Sequence, residues 1–208
     1  MTISLSDAGK RFNRDWIFRH LTYNFQSGNT YAITGPNGSG KSTLLQVLAG
    51  AMQASEGNVQ YSILNNQLSI ETLYQHISIC APYLEVVEEM TLTEFLSFHQ
   101  NFKPLLSGIN IEQIISELTL KNASHKQIRN FSSGMKQRVK LAQCIFSNTE
   151  IVLLDEPCTN LDMQGIELYH SLIDKYCNGR TVIVSSNDKV EYDFCKSIIS
   201  IQDFKFNS

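Results

Sequence analysis

The stretch Gly35-Pro36-Asn37-Gly38-Ser39-Gly40-Lys41-Ser42 satisfies the pattern G-x-x-x-x-G-K-[ST] in full. Glycines let a backbone bend so that successive N–H groups face anionic oxygens, and the helix that follows adds its positive N-terminus. In such a loop Lys41 neutralises the β and γ phosphates of a bound nucleotide, and the Ser42 hydroxyl suits a coordination position on Mg²⁺. A chance match arises in roughly one chain in a hundred of this length at average composition. The setting makes chance a poor account. The loop follows a short apolar strand, Thr30–Thr34, and precedes Leu44, Val47, Leu48 and Ala51 at helical spacing.

A second stretch supplies what the first lacks. Residues 151–154 (Ile-Val-Leu-Leu) form a continuous apolar strand that ends in Asp155 and Glu156. A run apolar at every position is expected when both faces of a strand are buried. Open α/β sheets place ligands at strand C-termini, so Asp155 is a candidate for the metal. Glu156, next along the chain, points elsewhere and is a candidate for polarising water toward the γ phosphate.

Around these stretches the chain alternates strands and helices. Leu21, Tyr23 and Phe25 alternate, as do Val59, Tyr61 and Ile63, which predicts half-buried strands. The middle is helical in pattern. Thr91 with Glu94 and Asn110 with Gln113 read as capping boxes ahead of apolar stripes. The first stripe is Leu92, Phe95, Leu96 and Phe102; the second is Ile111, Ile114, Ile115 and Leu118; Met135, Val139, Ala142 and Phe146 make a third. Further on, Ile166, Tyr169, Ile173 and Tyr176 line a helix that Gly179 stops, and Thr181–Ser185 is another strand. The pattern predicts an α/β fold with a mainly parallel sheet interrupted by a helical subdomain. The resemblance of residues 35–42 to the phosphate loop of P-loop NTPases implies such a core, with an N-terminal antiparallel β subdomain and an inserted α-helical subdomain. The expected division is a single domain over 1–208, with a core of about 1–84 and 141–208 and a helical subdomain of about 85–140.

Composition narrows the classes. The 208 residues carry 17 Lys+Arg and 20 Asp+Glu, a net charge of −3, which argues against a protein built to coat nucleic acid. With 42% hydrophobic residues and only 11 Gly and 4 Pro, disorder and collagen are excluded. No apolar run approaches the roughly 18–20 residues that span a bilayer, and residues 1–12 do not resemble a secretory signal. The five cysteines show no CxxC or metal spacing, so reduced thiols are expected.

Other segments extend the pattern to a family. Phe131-Ser132-Ser133-Gly134-Met135, followed by Lys136-Gln137-Arg138, lies shortly before the acidic strand, and Thr159-Asn160-Leu161-Asp162 lies shortly after it. With the phosphate loop they resemble, over nearly the whole chain, the nucleotide-binding subunit of ATP-binding cassette (ABC) transporters. The first segment is similar to the family signature L-S-G-G-Q, with Ser133 in place of the first glycine and Met135 in place of the glutamine. The resemblance implies that Ser132, Ser133 and Gly134 bind the γ phosphate held by an opposite subunit. It implies that Asp162 belongs to a loop at the dimer interface. It also implies an N-terminal aromatic stacked on adenine, which Phe12 fits better than Trp16, and a loop contact with ATP extending through Thr43. The catalytic positions carried over are Lys41, Glu156 and Asn187; Ser42 and Asp155 are carried over for Mg²⁺.

Two positions depart from the family. Its glutamine loop should follow Ile77–Cys80, where this chain reads Ala81-Pro82-Tyr83, and its switch histidine is replaced by Asn187. An asparagine donates a hydrogen bond but carries neither proton nor charge. None of the five histidines (His20, His76, His99, His125, His170) lies there, and all five read as ordinary surface or core residues. The resemblance implies an ATPase that pairs with itself or with a second ABC subunit around ATP and Mg²⁺. It implies docking of a separate transmembrane permease through the helical insertion and residues 81–89, with the acidic Glu85, Glu88 and Glu89 suited to a basic partner. The location implied is cytoplasmic, on the inner face of the cell membrane, without nucleic acid. The alternatives are a soluble ABC ATPase and an ATP-gated binding module not engaged in transport.

Overall fold

In the computed structural model, which describes residues 1–64 and 66–205, two long strands come first, β1 (Thr2–Phe12) and β2 (Asp15–Phe25). Then follow β3 (Thr30–Thr34), α1 (Lys41–Leu48), β4 (Glu56–Ile63), β5 (Asn66–Gln67) and β6 (Ile77–Cys80). The helices α2 (Leu92–His99), α3 (Ile111–Glu117) and α4 (Ser133–Ile145) precede β7 (Ile151–Asp155), and α5 (Met163–Tyr176), β8 (Thr181–Ser185) and β9 (Ser197–Ser200) end the series. One sheet, in the order β2-β1-β4-β5, is antiparallel. The other has the order β6-β7-β8-β3-β9, and β7, β8, β3 and β9 run parallel. This is the α/β arrangement expected of the sequence.

By its internal contacts the chain forms two units. The first comprises residues 1–79, 150–155 and 179 onward. Its core takes Ile3 and Leu5 from β1, Phe18, Leu21 and Phe25 from β2, and Leu44, Leu45 and Leu48 from α1. Ile33, Ile151, Leu153 and Ile183 enter it from the parallel sheet. Side chains alternate along a strand with period two. Asp155, in line with Ile151 and Leu153, and Ser185, in line with Ile183, therefore stand on the face of the sheet that α1 covers. Register joins them: Asp155 is opposite Ser185, and Ser185 is opposite Ile33.

The second unit comprises residues 80–149 and 156–178 and holds α2 to α5. It is wider than the 85–140 insertion read from the pattern, because α4 packs on α5 as well as on α2. Both capping boxes form. Thr91 and Glu94 exchange bonds at the start of α2, and Asn110 and Gln113 do so at α3. A short helix of this kind depends on its cap, since each turn left open exposes unsatisfied N–H groups. Asn110→Ala should cost about 1 kcal/mol, read as a lower denaturant midpoint at unchanged slope.

Two apolar stripes end sooner than their spacing predicts. Helix α1 stops at Leu48, Gly50 turns with φ 71°, and Ala51 is exposed. Phe102 lies beyond α2 and is 62% exposed, because its N–H and that of Lys103 both bond to the His99 carbonyl and close the helix. Of the histidines, His99 is buried, its Nε2 2.9 Å from the Ser147 hydroxyl, and burial lowers its pKa to about 4.

Candidate nucleotide-binding site

Residues 35–40 connect β3 to α1, and the loop is held by its own backbone: the Ser39 N–H donates to the Pro36 carbonyl at 3.1 Å. Gly40 precedes α1 with φ 103°, and a Cβ there would collide with the γ-methyl of Ile17. Only glycine meets both demands. No side chain caps α1 and no acid occupies its first turn, so its leading N–H groups are left for an anion. Ser42 and Thr43 lie in that turn, half-buried.

Lys41 is 4% exposed, and its Nζ donates to the carbonyls of Gly35 at 2.8 Å and Pro36 at 3.3 Å. The ammonium is thus curled back onto the loop by neutral acceptors. A buried cation without a carboxylate partner gains most from an incoming anion.

Among the described residues of this unit, three buried side-chain oxygens have no hydrogen-bond partner: Ser39 Oγ in the loop, Asp155 Oδ1 and Ser185 Oγ. Asp155 is 2% exposed. Such orphans are rare in folded proteins and point to a missing ion, ligand or water. A carboxylate and serine hydroxyls are hard oxygen donors of the kind Mg²⁺ takes. Among the described residues no three His, Cys, Asp or Glu gather as a metal cage. Mg²⁺ is commonly held by one or two carboxylates together with substrate phosphates. The residues present fit the ion. Ser185 escaped the sequence reading, since a serine ending a strand gives no signal until register sets it opposite Asp155.

The Asn187 amide donates to Asn37 Oδ1 of the loop at 3.3 Å, so Asn187 reaches residues 35–42. The aromatics sit where β1 and β2 join: Phe12 pairs with Asp15, and Arg11 with Trp16. Trp16 is already engaged by this chain's own cations, with the Arg19 guanidinium 4.5 Å and that of Arg11 5.5 Å from its ring centre. Arg19 is fixed in turn by Glu56 through two bonds of 2.6 and 3.1 Å. Phe12 is 46% exposed, with the Lys10 ammonium 5.3 Å from its ring centre. Of the two, Phe12 is the more exposed and carries one cation where Trp16 carries two.

The remaining residues belong to the second unit. The Ser132 hydroxyl caps α4 by accepting from the Met135 N–H at 3.3 Å. A Cβ on Gly134 would lie 3.0 Å from the carbonyl oxygen of Asn160, which brings the signature segment against the 159–162 loop. Asp162 caps α5, accepting from the Gly165 N–H at 2.8 Å, and its Oδ1 lies 3.5 Å from Arg138. Glu156 has φ 45°, an unusual conformation for a residue with a Cβ. Where the family carries its loop glutamine, the Pro82 carbonyl accepts from Lys140 Nζ at 3.1 Å. Of the acids offered to a partner, Glu88 is taken by Lys136 at 2.5 Å, so the stretch is less free than its charge implied.

Known proteins resemble this chain in sequence and in fold. The model of the ABC transporter family matches residues 18–159. An uncharacterized ABC transporter ATP-binding protein of Bacillus subtilis, YybJ, is 29% identical over 97% of this chain and 89% of its own length. The lantibiotic transport ATP-binding protein SrtF of Streptococcus pyogenes is 27% identical over 89% of this chain and 80% of its own. The ATP-binding cassette MJ0796, solved as a dimer in a post-hydrolysis state with ADP and Pi, has the same fold, with a TM-score of 0.81 at 24% identity over 95% of this chain and 93% of that one. With phosphate loop, acidic strand and signature segment all inside or beside the matched span, the chain belongs to the ABC transporter family, as one of its ATP-binding and ATP-hydrolysing subunits.

Proposed function

We propose that this subunit closes head to tail on ATP with a second copy or with another subunit of its family, and that the closure drives a separate membrane-embedded permease. Each ATP then lies between the phosphate loop of one cassette and Ser132, Ser133 and Gly134 of the other. The triphosphate's charge is fully met only when both surfaces are present, so ATP favours the paired state and hydrolysis releases it. An isologous pair forms both sites together. The dimeric state of MJ0796 supports the pairing, and the transport role in the name of SrtF supports the permease. No helix among the described residues is long and apolar enough to cross a membrane.

The observation that carries the reading is the orphaned Asp155 Oδ1, on the face of the sheet that bears the uncapped start of α1. In the proposed mechanism Lys41 leaves its two loop carbonyls for the β and γ phosphates, and the loop N–H groups around 38–43 receive the remaining oxygens. Phe12 stacks on the adenine. Glu156 orients water and takes its proton, and Asn187 turns from Asn37 to donate to the γ phosphate. Asp155 and Ser42 would hold Mg²⁺, with Ser185 opposite Asp155 in register, and the ion would neutralise phosphate charge. Asp162 keeps the 159–162 loop in the shape that meets the second cassette.

The test is calorimetry of Asp155→Asn with ATP, once with Mg²⁺ and once with a chelator. The gain in ATP affinity that Mg²⁺ confers on the native chain should fall at least about tenfold, while binding in chelator is unchanged. A full Mg²⁺ effect in the variant would take Asp155 out of the metal site.

A further inference from the structure

Gln137 lies between Lys136 and Arg138 in a polar run at the start of α4, yet it is 3% exposed. Its Nε2 donates to the Pro157 carbonyl at 2.7 Å and lies 3.9 Å from Cys80 Sγ. Pro157 follows Glu156, whose φ of 45° is one that side chains rarely adopt. A residue ahead of proline has few conformations left, so a left-handed one persists only where its surroundings impose it. Here they do so on the C-terminal side: the Thr159 N–H bonds to the Glu156 carbonyl at 3.2 Å, and Gln137 takes the next carbonyl, that of Pro157.

We infer that Gln137 is a positioning residue for hydrolysis, fixing the Glu156-Pro157 turn so that the Glu156 carboxylate is aimed at the attacking water. The inference rests on the reading of Glu156 as the group that activates water. Gln137 touches neither nucleotide nor water; it acts through the Pro157 carbonyl. Because it sits on the signature helix, it ties the segment that binds the opposite γ phosphate to the turn that carries the general base. A general base displaced by about one ångström costs up to roughly a hundredfold in rate, whereas nucleotide affinity does not depend on it.

The experiment measures steady-state phosphate release, ATP affinity and ATP-driven dimerisation for Gln137→Met and Gln137→Glu. Met keeps the length and removes the donor. Turnover of Gln137→Met should fall at least roughly tenfold at unchanged ATP affinity, and the ATP-bound dimer should accumulate. Native turnover overturns the inference. So does loss of the dimer together with turnover, which would mark Gln137 as a support of the signature segment alone. Gln137→Glu decides the matter if the Met variant does not fold. A carboxylate cannot donate to the carbonyl but a carboxylic acid can, and burial raises the pKa of that acid. Its turnover relative to the native chain should therefore recover as pH is lowered from about 8 to about 6, and a flat ratio overturns the inference. Native turnover in Glu156→Gln would sink the underlying reading instead, whatever Gln137 does.

Discussion

Replacing Glu156 by Gln is expected to cut phosphate release at least about a hundredfold while leaving ATP bound in a dimer that no longer parts. The amide keeps the size of the carboxylate and its capacity to orient a water, but it cannot take the proton. General-base contributions of this kind lie at roughly a hundred- to ten-thousandfold. What makes the prediction sharp is that the two readouts move oppositely. The affinity of the pair for ATP depends on the loop, on Lys41 and on the opposite signature segment, none of which the change touches. Hydrolysis depends on it, and only hydrolysis dissolves the charge bridge that holds the cassettes together. Size-exclusion chromatography with ATP and Mg²⁺ should show the dimer, and a phosphate assay should show near-silence. Undiminished release would remove Glu156 from the role.

The parts of this site that were legible in the sequence are those whose chemistry is local. A phosphate loop needs its glycines, lysine and serine within one turn of chain, so Gly35 to Ser42 announce it without any tertiary contact. Strand β7 was equally open, because burial on both faces favours a continuous apolar run, and Ile151 to Leu154 supply it. The capping boxes at Thr91 and Asn110 were legible for the same reason.

What depended on distant partners was not. Strand β1 hides its alternation behind register shifts near Ser6 to Gly9 and a left-handed Asp7, and β9 is four residues at a sheet edge flanked by serines. Trp16 is a second candidate for adenine in the sequence until Arg11 and Arg19 are seen on it. Gln137 reads as solvated polarity, since nothing nearby in sequence tells that the Pro157 carbonyl, 20 residues on, will meet it. Asn187 shows both sides of the distinction. Its departure from the family histidine is plain in the sequence, whereas its bond to Asn37 of the loop is a property of the fold.

Lys41→Ala should abolish detectable ATP binding. The Lys41 ammonium is buried and shared between the carbonyls of Gly35 and Pro36, neutral groups that offer it far less than a polyphosphate would. Each charge-assisted bond to an anion contributes about 1.5–3 kcal/mol, and with two phosphates to meet the loss is at least about a hundredfold in affinity. The folded chain loses less, because the two carbonyls lie at a loop and water can replace the ammonium there once the side chain is gone. Calorimetry with Mg²⁺ should thus record no heat at ATP concentrations that saturate the native chain, while thermal unfolding shifts by only a few degrees. Lys41→Met separates charge from volume, since it refills the channel of the side chain without restoring the cation; it should bind no better than the Ala variant. Native affinity in either variant would mean that the loop amides suffice alone, and the assignment of Lys41 to the phosphates would fall.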